Sequence, residues 1–388
     1  MGRGGAIIGI GEMKVGKHPG RTAVEMQAQA IRLALADAGV ERDQLDAVYG
    51  LASYIRPLQM HGMSLTEYLG IRPRFASNFD IGGTVAFMWM VADAIAAMQA
   101  GRFDVAVCVY GDNASTRRTG GEHGFTSQVE FGTEDFEDPF GSTLVSSYAM
   151  VSRRYVDLYG LDPVETFWPV ALALRTHAGR NENAAYRKPI TLDDYCNSPM
   201  VADPIRRLDS SPVVDGAGAF VIASERFIAA NKPRHEPVSM LGVNTKTTHK
   251  IPSQMPDVPQ LGLADAGPRA FAEAGIRHDD VDMLTVHDGF TSSILITLEL
   301  LGFCPPGQAG RFVAEGGIDL GGDLPTNTHG GLISQGHVGG ILHVLEAVRQ
   351  LRGEAGERQI KDCEVAVVAG NGGVWAMTGA MVLAKGMG

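Results

Sequence analysis

Apolar residues in this chain fall into short runs separated by glycine-bearing turns. Ala6-Ile-Ile-Gly-Ile10 is apolar throughout and a strand's length, so it predicts a buried β-strand. Ala36-Asp-Ala-Gly-Val-Glu-Arg-Asp-Gln-Leu-Asp46-Ala-Val48 reads as the end of an amphipathic helix, a glycine C-cap, a turn and a new strand. The same pattern returns at Ala272-Glu-Ala-Gly-Ile-Arg-His-Asp-Asp-Val-Asp282-Met-Leu284. A second echo joins Asp104-Val-Ala-Val107 to Glu364-Val-Ala-Val367, each following a helical stretch, Met88 to Met98 and Ile341 to Leu351. Helices alternating with strands that are apolar at nearly every position predict parallel sheets covered on both faces. The repeat distance is far too long for a solenoid. It predicts two similar α/β halves, residues 1–232 and 233–388.

The first half carries an insertion, expected at about residues 112–200. Its opening stretch, Asp112 to Ser147, is polar and mixes both charge signs at Arg117, Arg118, Glu122, Glu130, Glu134, Asp135, Glu137 and Asp138. A stretch of this kind is either a functional excursion or an ordinary solvated loop.

Composition narrows the classes. The chain has 388 residues, 45% hydrophobic and 20% charged, which suits a globular protein with a large core. A net charge of −11 disfavours a general nucleic-acid binder. The most apolar helical stretch, Ala86 to Ala100, is broken by Asp93, so no membrane span is expected. The N-terminus lacks the apolar core of a signal peptide. Four scattered cysteines (108, 196, 304 and 363) suit a reduced cytoplasm and form no zinc motif. Gly11-Glu-Met-Lys-Val-Gly-Lys17 copies part of a phosphate-binding loop, but His18 replaces the Ser/Thr and Pro19 follows, so nucleotide hydrolysis is rejected.

The candidate chemistry lies in the last third. His287 follows a predicted strand, Met283 to Val286, and ligands of α/β folds gather at such strand ends. His337 stands between Gly336 and a helix starting near Gly340, where a helix N-terminus favours negative charge. Together they read as an acid/base pair beside a carbonyl. His329 and His343 are close in sequence, yet the 329/337/343 spacing matches no metal signature, and no metal is expected. Gly82-Gly83 before the first-half helix offers N–H groups to an oxyanion. Asp80 is either a base or a cap of that helix. Gly370 and Asn371 in Ala369-Gly-Asn-Gly-Gly373 are further candidates for contact with a carbonyl, unless the glycines serve a tight turn.

Taken together, His287-Asp-Gly-Phe290, Leu301-Gly-Phe-Cys-Pro-Pro-Gly-Gln-Ala-Gly310, Glu315-Gly-Gly-Ile-Asp-Leu-Gly-Gly322, Leu324-Pro-Thr-Asn-Thr-His-Gly-Gly-Leu-Ile-Ser334, Gly336-His337, Leu351-Arg-Gly353, Ala202-Asp-Pro204 and Asp215-Gly-Ala-Gly-Ala219 resemble the thiolase superfamily. The likeness is to the sterol-carrier-protein-type thiolases and their lipid-transfer-protein-like relatives. It implies two βαβαβ-type halves in a five-layer αβαβα fold, and a homodimer.

The resemblance also implies roles. The residue matching His287 stabilises a thioester enolate. The residue matching His337 transfers protons and, in thiolases, activates a cysteine. The family often has proline after that histidine; here Val338 stands there. The thiolase cysteine aligns with Gly83 or with Thr84, depending on whether the glycine pair or the helix end sets the register. Neither is a thiol, and a threonine hydroxyl needs strong activation to attack. The second thiolase cysteine is absent too. Gly83, Thr84, Asn327, Gly370 and Asn371 are the expected oxyanion or substrate contacts. The implied reaction is retro-aldol cleavage of a β-hydroxyacyl-CoA, as in Cys-less relatives that shorten steroid side chains. The alternatives are a thiolase-type C-acyltransferase and a non-catalytic lipid or CoA-ester scaffold. Coenzyme A enters as the thioester substrate, no covalently bound cofactor is expected, and a small OB-fold/zinc-ribbon partner is implied.

Overall fold

The computed structural model describes residues 4–55, 57–80, 82–117 and 137–387. Arg118, Glu122, Glu130, Glu134 and Asp135 of the charged stretch lie outside the described residues. In chain order the first half builds β1 (Gly5–Glu12), α1 (Ala23–Ala38), β2 (Ala47–Gly50), α2 (His61–Leu69), β3 (Phe75–Asn78), α3 (Val85–Gln99) and β4 (Val105–Asn113). An excursion follows, with α4 (Ala114–Arg117), α5 (Leu144–Tyr159), α6 (Pro163–Gly179), α7 (Leu192–Cys196), β5 (Met200–Ala202) and β6 (Ile205–Arg206). The chain rejoins the sheet as β7 (Asp215–Ser224) and leads through α8 (Glu225–Asn231) to the second half. That half contains β8 (Val238–Thr247), α9 (Leu263–Ala274), β9 (Met283–Val286), α10 (Thr291–Leu300), α11 (Ala309–Ala314), α12 (Gly331–Ser334), α13 (Ile341–Arg352), β10 (Val365–Gly372) and β11 (Met377–Lys385).

The sequence echo has a local cause. Helix α1 starts on a Thr22–Glu25 capping box, and both α1 and α9 stop on a left-handed glycine, Gly39 at φ 69° and Gly275 at φ 73°. The strand order is β3-β2-β4-β7-β1-β8-β11-β10-β9, so each half contributes one side of a continuous sheet. Among the described residues the sides pair, through β1 and β8, at Ala6 with Ser239 and Ile7 with Val238.

The sheets are mixed, not parallel as expected. β2, β3 and β4 run parallel, but β7 is antiparallel to both β4 and β1. Likewise β9 and β10 are parallel while β11 is antiparallel to β10 and β8. An apolar run reports burial on both faces and carries no strand direction, which is why the expectation failed.

Helices α3 and α13 lie between the two sides and share one core with both, including Phe87, Met88, Phe220, Leu345, Val368 and Met381. Helix α1 covers the outer face of the first half. Helices α9 and α10, with α5 and α6 of the excursion, cover the outer face of the second. The result is the five-layer αβαβα arrangement. Among the described residues no helix is long and apolar enough to cross a membrane.

Candidate active site

The N-termini of the two central helices converge on one spot. Thr84 is the residue before α3, and Gly340 the residue before α13. His287 leaves the end of β9 between them, and His337 lies on the loop leading into α13. The imidazole rings of His287 and His337 are 5.6 Å apart and almost perpendicular, at 89°. His287 is buried and His337 half-buried.

Thr84 does not cap its own helix. Its hydroxyl lies 2.9 Å from His287 Nδ1, and its backbone N–H donates to the same nitrogen at 3.3 Å. A backbone N–H can only donate, so Nδ1 carries the lone pair and the ring hydrogen sits on Nε2. Burial, with His337 and His343 nearby, holds His287 well below the usual imidazole range. The ring is therefore a neutral N–H donor through Nε2. Of the two alignments for the thiolase cysteine, it is Thr84 whose side chain faces the histidine. Gly83 has φ 71°, and a Cβ there would fall 1.9 Å from the Asn371 carbonyl oxygen. Gly340 is equally constrained, since a Cβ would lie 2.0 Å from Thr84 Oγ1.

Several expected contacts turn out to hold the site's frame. Asn327 is fully buried, and its amide accepts from the Val286 N–H at 2.8 Å and donates to the Val286 carbonyl at 2.9 Å. Both ends are used on the residue before His287, so Asn327 clamps the end of β9 and does not face a ligand. Gly370 allows β10 to touch the start of α3, because a Cβ would lie 2.7 Å from the Val85 nitrogen. Close backbone approach, rather than an open N–H, explains that glycine. Asn371 is buried beside Tyr148 of α5, whose hydroxyl lies 2.8 Å from the Asn371 amide and 2.6 Å from the Gly373 carbonyl. The phenol has one hydrogen for two acceptors, the Asn371 Oδ1 and the Gly373 carbonyl. Tyr54 lies against the same turn, its hydroxyl 3.2 Å from where a Cβ on Gly82 would fall. Of the expected oxyanion donors around the glycine turn, the Thr84 N–H is engaged within the protein, by His287 Nδ1. Asp80 is exposed, and α3 starts at Val85 with Thr84 in the capping position, so Asp80 does not cap that helix.

Asp288, next to His287, is fully buried and accepts from the Leu332 and Ile333 N–H groups at 2.8 and 3.2 Å. His343 Nε2 lies 3.3 Å from this carboxylate, and its ring is 4.9 Å from that of His329. Among the described residues no group of three or more His, Cys, Asp or Glu side chains is arranged to hold a metal ion. Cys108 lies within β4, and burial pushes its thiol up. Surface grooves beside α5 (Met150, Arg153, Asp203) and beside α7 (Lys188, Asn197, Arg207) share no residue with the site.

The sequence reading missed Tyr54, Tyr148 and residues 209–215. The last segment connects both histidine loops: the Ser211 N–H donates to the Gly289 carbonyl at 3.0 Å, and the His337 N–H donates to the Pro212 carbonyl at 3.2 Å. Ser-Ser-Pro-Val-Val shows no periodicity, so only its flanking aspartates could have signalled it.

Comparison with known proteins follows from this geometry. The family model for the thiolase C-terminal domain-like region matches residues 244–385. A 17-hydroxy-3-oxo-4-pregnene-20-carboxyl-CoA lyase of Mycobacterium tuberculosis is 34% identical over 383 residues, covering 95% of this chain and 96% of the lyase. The chain belongs to the thiolase superfamily. Within that superfamily it is also 32% identical, over 95% of both chains, to a steroid side-chain-cleaving aldolase of Thermomonospora curvata. Among solved structures of the thiolase fold, the Ltp2-ChsH2(DUF35) aldolase superposes with a TM-score of 0.86 at 29% identity, covering 99% of this chain and 98% of that one. The continuous nine-stranded sheet around α3 and α13 is thus this chain's version of the frame of that superfamily.

Proposed function

We propose that the protein cleaves a β-hydroxyacyl-CoA by retro-aldol chemistry, without an acyl-enzyme. The observation that carries this reading is Thr84, whose hydroxyl is engaged 2.9 Å from His287 where a thiolase would present a thiol. His337, the more exposed ring, takes the proton of the substrate's β-hydroxyl. The β-carbon becomes a ketone or aldehyde as the Cα–Cβ bond breaks. The bonding electrons pass into the thioester, giving an enolate. His287 Nε2–H donates to the enolate oxygen, and the two helix N-termini favour the same negative charge. His337 then returns its proton to the α-carbon, releasing the shortened acyl-CoA. Protons and electrons balance with no oxidant or added nucleophile.

The names of the two curated relatives support a steroid-borne acyl group as the substrate class. The ChsH2(DUF35) component named in the solved aldolase supports a small OB-fold/zinc-ribbon partner. We also propose a homodimer: β3 is an outer strand with an open backbone edge, and Phe75, Trp89, Met60 and Met63 near it are exposed apolar side chains.

The test incubates the purified chain, alone and with that partner, with a steroid β-hydroxyacyl-CoA. Release of a ketone together with a shorter acyl-CoA, and no mass adduct on the protein, is expected. A covalent acyl adduct on the unmodified chain would replace this reading with the acyltransferase one. Binding without turnover, in the presence of the partner, would favour the scaffold reading.

A further inference from the structure

Residues 209–215 form a strap that bonds to both histidine loops and is fixed at both ends by fully buried aspartates. Asp209 accepts from the Tyr195 hydroxyl at 2.8 Å, the Thr291 hydroxyl at 3.0 Å and the Arg206 N–H at 2.8 Å. Asp215 accepts from the backbone N–H groups of His18 at 2.8 Å and Thr116 at 2.9 Å. Between these anchors, Ser210 pairs with Phe290 and Val213 pairs in parallel with His337. Residues directly opposite in a β-bridge project their side chains to the same face, with Cβ atoms about 5 Å apart. Val213 therefore stands beside the His337 imidazole, and it is 39% exposed although its neighbour Val214 is buried. An apolar side chain open to solvent next to a half-exposed catalytic imidazole is available to touch the substrate.

We infer that Val213 is a specificity-determining residue, a fixed wall that meets the acyl group where it leaves His337 and limits its bulk. This deepens the aldolase reading and rests on it. A wall on a rigid strap discriminates by shape, because the double anchoring leaves little freedom to yield to a larger group.

The experiment compares Val213→Phe, Val213→Ala and Val213→Thr with the unmodified protein, each with its partner, on a ring-bearing and a short-chain β-hydroxyacyl-CoA. Val213→Phe is expected to raise KM for the ring-bearing ester about tenfold and to leave the short-chain KM and kcat within about twofold. Val213→Ala should accept bulkier esters, and Val213→Thr, which keeps the side-chain volume, should keep the ratio of the two KM values. Equal changes for both esters, or no change in either, overturn the inference. If the unmodified protein cleaves neither ester, the aldolase reading fails by itself. The strap is then judged by calorimetric binding of the same two esters, where selective weakening of the ring-bearing one by Val213→Phe supports it and uniform binding refutes it.

Discussion

In the N-terminal half, β4 leaves the sheet at Asn113 and returns as β7 only at Asp215; in the C-terminal half, β10 passes into β11 across Gly373–Ala376. The two connections occupy equivalent places in similar sheets. The longer one supplies α5 and α6, which pack on the other half's α10, α11 and α12, and the strap that joins both histidine loops. Each half also sends one central helix to the site, but the helices differ in what precedes them. Before α3 stands a threonine that gives its hydroxyl to the partner half. Before α13 come His337 and two left-handed glycines, Gly339 and Gly340. A duplicated frame thus holds an undivided site: the second half brings the imidazoles, and the first orients one of them and encloses both.

If the second half carries the proton chemistry, His337→Ala and His287→Ala should each lower kcat about a thousandfold, measured as ketone release. Equal loss from the Tyr54→Phe change in the first half would erase the contrast. Asn327→Ala removes two buried hydrogen bonds to Val286 and should cost about 2 kcal/mol in denaturant unfolding. Thr84→Val should reduce kcat about tenfold while Thr84→Ser retains it, because valine keeps the backbone N–H to His287 Nδ1 but loses the hydroxyl contact that helps hold the ring. Thr84→Cys sharpens the comparison further, since it should acquire an acyl adduct by mass where the unmodified chain acquires none.

The smallest effect concerns pH. Burial lowers His61 to about 4 and also lowers His287, His329 and His177, so the unfolded chain binds more protons than the native one below about pH 6.5. Stability should therefore fall as pH falls from 6.5 to 5, by up to about 1.4 kcal/mol per unit for each uncompensated histidine. Burial raises Asp209 to about 6, which acts in the opposite direction over the same range, and raises Asp112 too, which acts in the same sense as Asp209. Melting temperature against pH measures the difference, and a curve that rises on acidification would contradict it.

Much of this was legible in the chain. The paired Gly39 and Gly275 caps show why the repeat could be read: a left-handed glycine after an amphipathic helix has a recognisable local cause. His287 and His337 were legible through the motifs around them. The direction of β7 and β11 was not, since apolar runs are alike either way round. Nor were the roles of Asn327, Gly370 and Asn371, which depend on what lies across the fold: Val286, Val85 and Tyr148. Thr84 and Gly83 could be separated only once one side chain faced an imidazole.

The meeting of α3 and α13 has a consequence beyond turnover. Each helix carries partial positive charge at its start, and these two starts face one another around His287, a ring that burial keeps neutral. The fold therefore holds like polarity together in a poorly screened interior. An enolate-mimicking CoA thioether should lift the melting temperature more than an uncharged analogue of equal size, and that surplus should persist in high salt, where surface charge effects fade.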